Sequence, residues 1–418
     1  MKRHPSDKLI VFALFMIFLT TPFLSCVTAS HNTNYESKCL DFDTKIKILM
    51  RAINMPSSVI CIIKNDTVEF MKTYGYKNFY LRQKATNDTI YSLGSVSKAV
   101  TAVALMQLYD EGCFDFDDDI SEYLPFNVKN PRYPDTNITF RMILVHQAGL
   151  NDFGVKLIGI PYMLIQAWLK NNSNLLIEEM LSEDGKIYSK RYFTRYGPGE
   201  KALYGELAFI LVGYLIESIS GQSLEEYCQE NIFEPLGMDN TSFYPETLDR
   251  TKIAQSHISA FQGLIPLPKY NLKMLDAPAG LWTNANDLSK FFVALMNGGI
   301  YRDIRILEED TVTLMHTKQY PNSNDFLLGL MFRCRTTVQH GLGWFFIDVF
   351  GLELEGHTGG APGYSCHMYI TKGKNNETVG IIVLANGPML FPALISSRIV
   401  IKGYENILKL IIEKAGEL

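Results

Sequence analysis

Gly94-Ser95-Val96-Ser97-Lys98-Ala99-Val100-Thr101-Ala102-Val103-Ala104-Leu105-Met106 is the stretch on which the fold turns. From Ser95 to Glu111 the apolar positions Val96, Ala99, Val100, Val103, Leu105, Met106 and Tyr109 recur at helical spacing, and Gly112 ends the pattern. The spacing predicts a helix of about four to five turns with one face buried. Ser95 is the only serine followed three residues later by a lysine, and it falls where the helix begins. Positions i and i+3 share a helix face, so the Lys98 amine can reach the Ser95 hydroxyl. The helix N-terminus adds free backbone N–H groups and partial positive charge, which favour negative charge developing there. A serine hydroxyl is a weak nucleophile until a base takes its proton, and a partly desolvated lysine can be that base. Taken alone the pattern is weak, because serine commonly caps helices and lysine is common within them.

Upstream, Ser58-Val59-Ile60-Cys61-Ile62-Ile63 and Val68-Glu69-Phe70-Met71 flank the polar turn Lys64-Asn65-Asp66 and read as a hairpin. Downstream, helical segments (Leu157–Leu169, Leu175–Leu181, Leu207–Ile219, Leu224–Ile232, Asp287–Met296) alternate with loops rich in Pro, Gly and Asn. After residue 326 come strand-like runs, Trp344–Val349, Cys366–Ile370 and Val379–Leu384, then a last helix from about Pro392 to Lys414. Strands, helices, strands and helix, without regular βαβ alternation, predict an α/β chain of the α+β type, an antiparallel sheet flanked by helices. The expected sheet domain takes residues 40–113 and 291–418, with a mainly helical insertion at 114–290.

The composition is that of an ordinary globular chain: 418 residues, 47% hydrophobic, 39 basic against 44 acidic side chains. The mild acidity without a basic face excludes a nucleic-acid partner. Lys2, Arg3 and Lys8 precede the apolar run Leu9–Leu19, and Val27-Thr28-Ala29 offers small residues for cleavage. That is the layout of a secretory leader over residues 1–29, with an uncleaved anchor as the alternative and lipidation of Cys26 as a third. A secreted or extracytoplasmic location follows, possible membrane attachment being confined to the N-terminus. Loss of Lys2, Arg3, Lys8 and Asp7 takes the formal charge from −5 to −7. No later stretch has the length and purity of a membrane span. Cys39, Cys61, Cys113, Cys228, Cys334 and Cys366 are widely spaced, permit disulfides, and form neither a zinc nor a redox motif. Nothing in the sequence calls for a metal or an organic cofactor. Asn65, Asn87, Asn137, Asn171, Asn240 and Asn376 stand in Asn-x-Ser/Thr triplets and are glycosylation candidates if the host glycosylates.

Two further elements join Ser95 and Lys98. Tyr204 lies in Tyr196-Gly197-Pro198-Gly199-Glu200-Lys201-Ala202-Leu203-Tyr204-Gly205-Glu206, a turn-rich loop leading into the apolar helix from Leu207. His357-Thr358-Gly359-Gly360 lies between strand-like runs, where glycines allow a ligand close to the backbone. In this order the set resembles the serine β-lactamase and penicillin-binding-protein superfamily, whose elements are S-x-x-K, Y-x-N and K-T-G. The branch it is most similar to contains class C β-lactamases, D-aminopeptidases, D-alanyl-D-alanine carboxypeptidases and related esterases. Leu144-Val145-His146-Gln147-Ala148-Gly149-Leu150, Ala279-Gly280-Leu281-Trp282-Thr283, Gly341-Leu342-Gly343-Trp344 and Gly363-Tyr364-Ser365 look similar too, so the resemblance covers about residues 40–415.

The resemblance implies Ser95 as the acylated nucleophile, Lys98 as its partner and base, and Tyr204 as the shuttling acid and base. It implies an oxyanion site between the backbone N–H groups of Ser95 and Gly360. His357, Thr358 and Gly359 would line the substrate pocket, while His146 reads as a buried, hydrogen-bonded structural histidine. Two departures matter. His357 replaces a lysine that would greet a substrate carboxylate, which points away from antibiotic hydrolysis. Glu206 replaces an asparagine, and a carboxylate beside Lys98 favours the charged lysine, a poorer base. Tyr204 then carries more of the proton transfer, or Glu206 binds a cationic group such as a substrate amine. The expected function is an exported serine hydrolase acting on a small-molecule or peptide substrate, an ester or a D-amino-acid peptide. A true β-lactamase or a non-catalytic binding domain are the alternatives.

Overall fold

The apolar run Val59–Ile63 becomes strand β1 (Ser57–Lys64), all of whose residues are buried. It is flanked on both sides, by β2 (Thr67–Asn78) and by β8 (Thr378–Asn386). A strand covered on both faces has no polar face to show, which is why its sequence is continuously apolar. Asn65 and Asp66 make the two-residue hairpin turn with φ of 47° and 59°, the left-handed pair that matches the twist of the flanking strands. The computed structural model describes residues 40–152, 173–260, 263–268, 275–320, 325, 338–349, 352–373, 376–387 and 398–418. Residues 1–29, expected to form a leader with Cys26, the segment Leu157–Leu169, Cys39, Cys334 and Asn171 lie outside the described residues.

With β3 (Gln83–Lys84), β4 (Gln339–His340), β5 (Phe345–Val349), β6 (Leu352–Ala361) and β7 (Tyr364–Lys372), the sheet has the order β4-β5-β6-β7-β8-β1-β2-β3. Every pairing in it is antiparallel. Alternation then sorts the side chains. Ile60, Ile62, Ile381 and Val383 meet helix α1 (Phe42–Ala52) through Ile46 and Met50, and the last helix, Arg398–Ala415, through Tyr404 and Ile407. Val59, Cys61, Met368 and Leu384 face the opposite core, which contains helix α2 (Ser97–Asp110). That core runs without a break into the helical insertion at Phe140 and Phe209, and residues Phe42–Leu418 form one compact unit.

Three sequence readings change. Helix α2 is buried all round, from Ser97 to Met106 and again at Leu108, because the sheet and helix α3 (Leu207–Ser220) enclose it. Ser95 itself sits in a 3₁₀ turn, Gly94–Val96, just before α2. His357 stands inside a strand, β6, and not between strands; its glycine-rich sequence lacks the β-branched signature that marks β1 and β8. The segment from Leu224, entered by a Ser223/Glu226 capping box, is helical as expected but not uniformly α: Leu224–Cys228 passes into a π-helix over Gln229–Phe233 and a last α turn, Glu234–Leu236. Ala285–Met296 is helix α4, and Arg398–Ala415, the last, is α5.

Cys61, Cys228 and Cys366 are buried free thiols and Cys113 an exposed one. Of the Asn-x-Ser/Thr positions, Asn65, Asn137 and Asn376 are exposed and Asn87 and Asn240 half-buried. Among the described residues, no single helix is long and apolar enough to cross a membrane.

Candidate active site

The 3₁₀ turn that carries Ser95 rests directly on β6. A Cβ at Gly94, where φ is +52°, would come within 2.6 Å of the Gly360 backbone, and one at Gly359 would lie 1.9 Å from the Leu93 carbonyl oxygen. Only glycine fits either place. This backbone contact brings Gly360, half-buried at the end of the His357-Thr358-Gly359 run, beside Ser95, which is also half-buried.

Lys98, one turn on, is fully buried. Its Nζ donates to Ser95 Oγ at 3.3 Å, to Glu206 Oε2 at 2.7 Å and to the Pro278 carbonyl at 3.0 Å. It also lies 5.0 Å from the centre of the Tyr204 ring and 5.7 Å from that of Phe209. Burial opposes its charge, but the Glu206 carboxylate and then Tyr204 outweigh that, and its pKa is raised. Lys98 is an ammonium with all three hydrogens engaged.

Tyr204 is held from several sides. Its backbone N–H donates to Asp325 Oδ2 at 2.7 Å, the same oxygen that His340 Nε2 meets at 3.3 Å. Its ring lies 4.6 Å from that of His146, whose Nδ1 accepts the Gly205 N–H at 3.4 Å. The hydroxyl interacts with both Ser95 and Lys98, and each pulls its pKa down. Burial pushes the phenol up to about 12 despite the pull of Lys98. His146 is the buried, bonded histidine expected, held neutral by burial and by its neighbours His340, Lys98 and His357.

Glu206 begins helix α3. Its N–H donates to Asp152 Oδ2 at 2.5 Å and that of Leu207 to Asp152 Oδ1 at 3.1 Å, so Asp152 supplies the cap that Glu206 does not. The Glu206 side chain keeps 26% of its surface exposed, whereas its partner Lys98 keeps none.

His357 is buried between Phe345 and Tyr204, at ring distances of 4.9 and 6.0 Å. Its Nδ1 lies 2.7 Å from the Thr358 carbonyl, an acceptor, so Nδ1 carries the hydrogen. Burial first, and Lys98 next, bring its pKa down to about 3, so it is a neutral imidazole.

Thr358 corrects the expectation that it lines the pocket beside His357. It pairs with His367 in the ladder, and its hydroxyl donates to the Cys366 carbonyl at 3.1 Å and meets His367 Nδ1 at 2.8 Å. His367 in turn packs on Tyr404 of α5, so the Thr358 side chain belongs to the sheet face turned away from α2. The residues that the sequence does not announce are Asp152, Asp325, His340 and the Pro278 carbonyl, all brought in from distant segments. Among the described residues, no three His, Cys, Asp or Glu side chains converge as a metal ligand set.

A family model described as Beta-lactamase matches residues 42–394. A protein of Escherichia coli (strain K12) described as "Putative D-alanyl-D-alanine carboxypeptidase" is 27% identical over 371 residues, covering 80% of this chain and 79% of that one. One of the same description from Salmonella typhimurium (strain LT2) is 24% identical over 370 residues, again covering 80% and 79%. Among solved structures, the octameric penicillin-binding protein homologue from Pyrococcus abyssi superposes with a TM-score of 0.64 at 25% identity, over 89% of this chain and 78% of that one. The D-amino acid amidase from Ochrobactrum anthropi SV3, complexed with L-phenylalanine amide, gives 0.66 at 19% identity over 90% and 99%, a likeness of fold.

Proposed function

The chain belongs to the beta-lactamase family, and on that premise we propose that it is an exported serine hydrolase working through an acyl-enzyme on Ser95, with esters and D-amino-acid amides or peptides as its substrates. The observation that carries this reading is the convergence on one half-buried hydroxyl: Lys98 Nζ lies 3.3 Å from Ser95 Oγ and 5.0 Å from the centre of the Tyr204 ring, whose phenol interacts with both. A binding protein has no chemical need for that trio.

In the reaction proposed, Ser95 Oγ attacks the substrate carbonyl, and the oxyanion is received between the backbone N–H groups of Ser95 and Gly360. The turn-to-strand contact at Gly94 and Gly359 sets their spacing. Tyr204, a neutral phenol beside both Ser95 and Lys98, is placed to hand a proton to the leaving group. Water then takes the place of the leaving group and frees Ser95.

The substrate class follows from charge. Where a fixed cation would meet a terminal carboxylate, the cleft holds His357 as a neutral imidazole, and the charge of Lys98 is matched by Glu206. Neutral esters and amides suit this cleft better than substrates whose scissile bond is followed by a carboxylate. The relatives described as carboxypeptidases keep peptides with D-residues in the class.

Labelling tests the reading. Purified protein treated with a fluorophosphonate is expected to carry one adduct, mapped by mass spectrometry to Ser95 and absent from Ser95→Ala. Absence of a Ser95 adduct with both the fluorophosphonate and a fluorescent penicillin would overturn it in favour of a binding domain. Penicillin labelling that turns over would reassign the substrate to β-lactams. N-terminal sequencing of protein exported from its host tests cleavage after Ala29.

A further inference from the structure

Three acceptors surround Lys98 Nζ, at Ser95, Glu206 and Pro278, and they use the three hydrogens of an ammonium. A nitrogen in that state has no lone pair with which to take the Ser95 proton. Tyr204 is no better placed as the resting base. With its phenol at about 12, only about one molecule in 10⁵ is a phenolate at neutral pH. The other groups around the lysine are the imidazoles of His146 and His357, and His340, which lies beyond Tyr204 with Asp325. Asp325 is engaged by the Tyr204 backbone and His340, and Asp152 by the backbone of Glu206 and Leu207. None of these hydrogen bonds joins Ser95. The carboxylate joined to Ser95 through a single intervening atom is Glu206.

We propose that Glu206 is the proton acceptor of the acylation step, reached from Ser95 through Lys98. The inference rests on the acyl-serine reading above and names the group that makes it work. Lys98 Nζ passes one hydrogen to Glu206 Oε2 and becomes an amine. Its lone pair then takes the hydrogen of Ser95 as the Oγ–carbon bond forms and the carbonyl π pair moves to oxygen. The charges balance: an ammonium and a carboxylate become an ammonium, a carboxylic acid and an oxyanion. On collapse the carbonyl re-forms and the bond to the leaving group breaks. The leaving atom takes a hydrogen from Tyr204, which regains one from Lys98, and Glu206 returns its own to Lys98.

The test is the pre-steady-state burst of p-nitrophenol from p-nitrophenyl acetate, an ester with no cation, so that recognition of a substrate amine does not enter. Glu206→Gln keeps a hydrogen-bond acceptor for Lys98 and cannot take the proton. Its burst rate is expected to fall at least about 100-fold at neutral pH, and to climb about tenfold per pH unit until Lys98, whose pKa comes down once the carboxylate is gone, has lost its proton. Glu206→Asp is expected to recover part of the neutral-pH rate. A Glu206→Gln enzyme within a few-fold of the wild type, with the same pH profile, would overturn the proposal. So would an Asp variant no faster than the Gln variant. Wild-type protein that fails to acquire a fluorophosphonate on Ser95 fails the parent reading instead, which keeps the two outcomes apart.

Discussion

Asp152 holds Glu206 by its backbone: one carboxylate oxygen accepts the Glu206 N–H at 2.5 Å while the other accepts that of Leu207. One buried side chain thus caps α3 and fixes the group that faces Lys98. Asp152→Ala strips the cap and leaves two N–H groups without it. It is expected to cost about 2 kcal/mol in urea unfolding and to lower kcat by more than that loss of folded protein explains, with Asp152→Asn intermediate.

Lys98→Met separates catalysis from stability. Removing one member of a buried pair is costly when the other is stranded, but Glu206 reaches water. Acylation of Ser95 should drop at least about 100-fold, while the urea midpoint moves little or rises, as the desolvated ammonium is gone. A large fall in the midpoint would show the ion pair to be structural.

Gly359→Ala places a methyl group 1.9 Å from the Leu93 carbonyl oxygen and 2.9 Å from the Val96 nitrogen. Strand and turn must part, at a cost of about 1–3 kcal/mol, and Ser95 labelling should be lost in protein that still folds by circular dichroism. Gly112→Ala is the control, since nothing lies within 4 Å there and only its φ of +74° is strained; labelling should survive.

Thr358→Val keeps the shape and removes a hydroxyl committed to Cys366 and His367. The expected result is a loss of about 1 kcal/mol in stability with KM unchanged. A raised KM would mean that the hydroxyl reaches substrate after all.

Acid sensitivity follows from the buried histidines. His357 is brought down to about 3 and His367 to about 4, both chiefly by burial, and His146 well below its ordinary value. Each is neutral when folded and takes up a proton when unfolded near pH 6.5, so the unfolded state binds more protons below that pH and stability falls as pH falls. Between pH 7 and pH 5 the loss is about 2 kcal/mol each for His357 and His367. Urea unfolding at the two pH values measures it, and His367→Phe should flatten the slope by about one proton.

Ser95 and Lys98 are legible because their contact is local, three residues apart across the turn that enters α2, and the β1–β2 hairpin because its turn and apolar runs are contiguous. Tyr204 and Glu206 could be named only through the resemblance; no spacing joins them to Lys98, which lies 108 residues from Glu206. Asp152 and Asp325 gave no signal at all, since each acts on backbone groups of a loop 54 and 121 residues away. Strand β6 is hidden by its glycines, and with it the engagement of the Thr358 hydroxyl by Cys366 and His367. Once His357 and Thr358 are seen as neighbours in a strand, alternation alone puts them on opposite faces, and they cannot both line one pocket.

The sheet also sets a timetable for biosynthesis. Its central ladder joins Ser57 to Asn386, 329 residues apart, so β1 waits through the synthesis of more than 300 residues for one of its two partners. At ordinary elongation rates that interval is on the order of tens of seconds, during which the apolar edge of Val59–Ile63 stays unpaired and open to capture by other chains. Folding of the nascent protein therefore calls for something to hold that edge. Ser95 meets β6 only after residue 360 has been made, so the candidate site cannot assemble before that point.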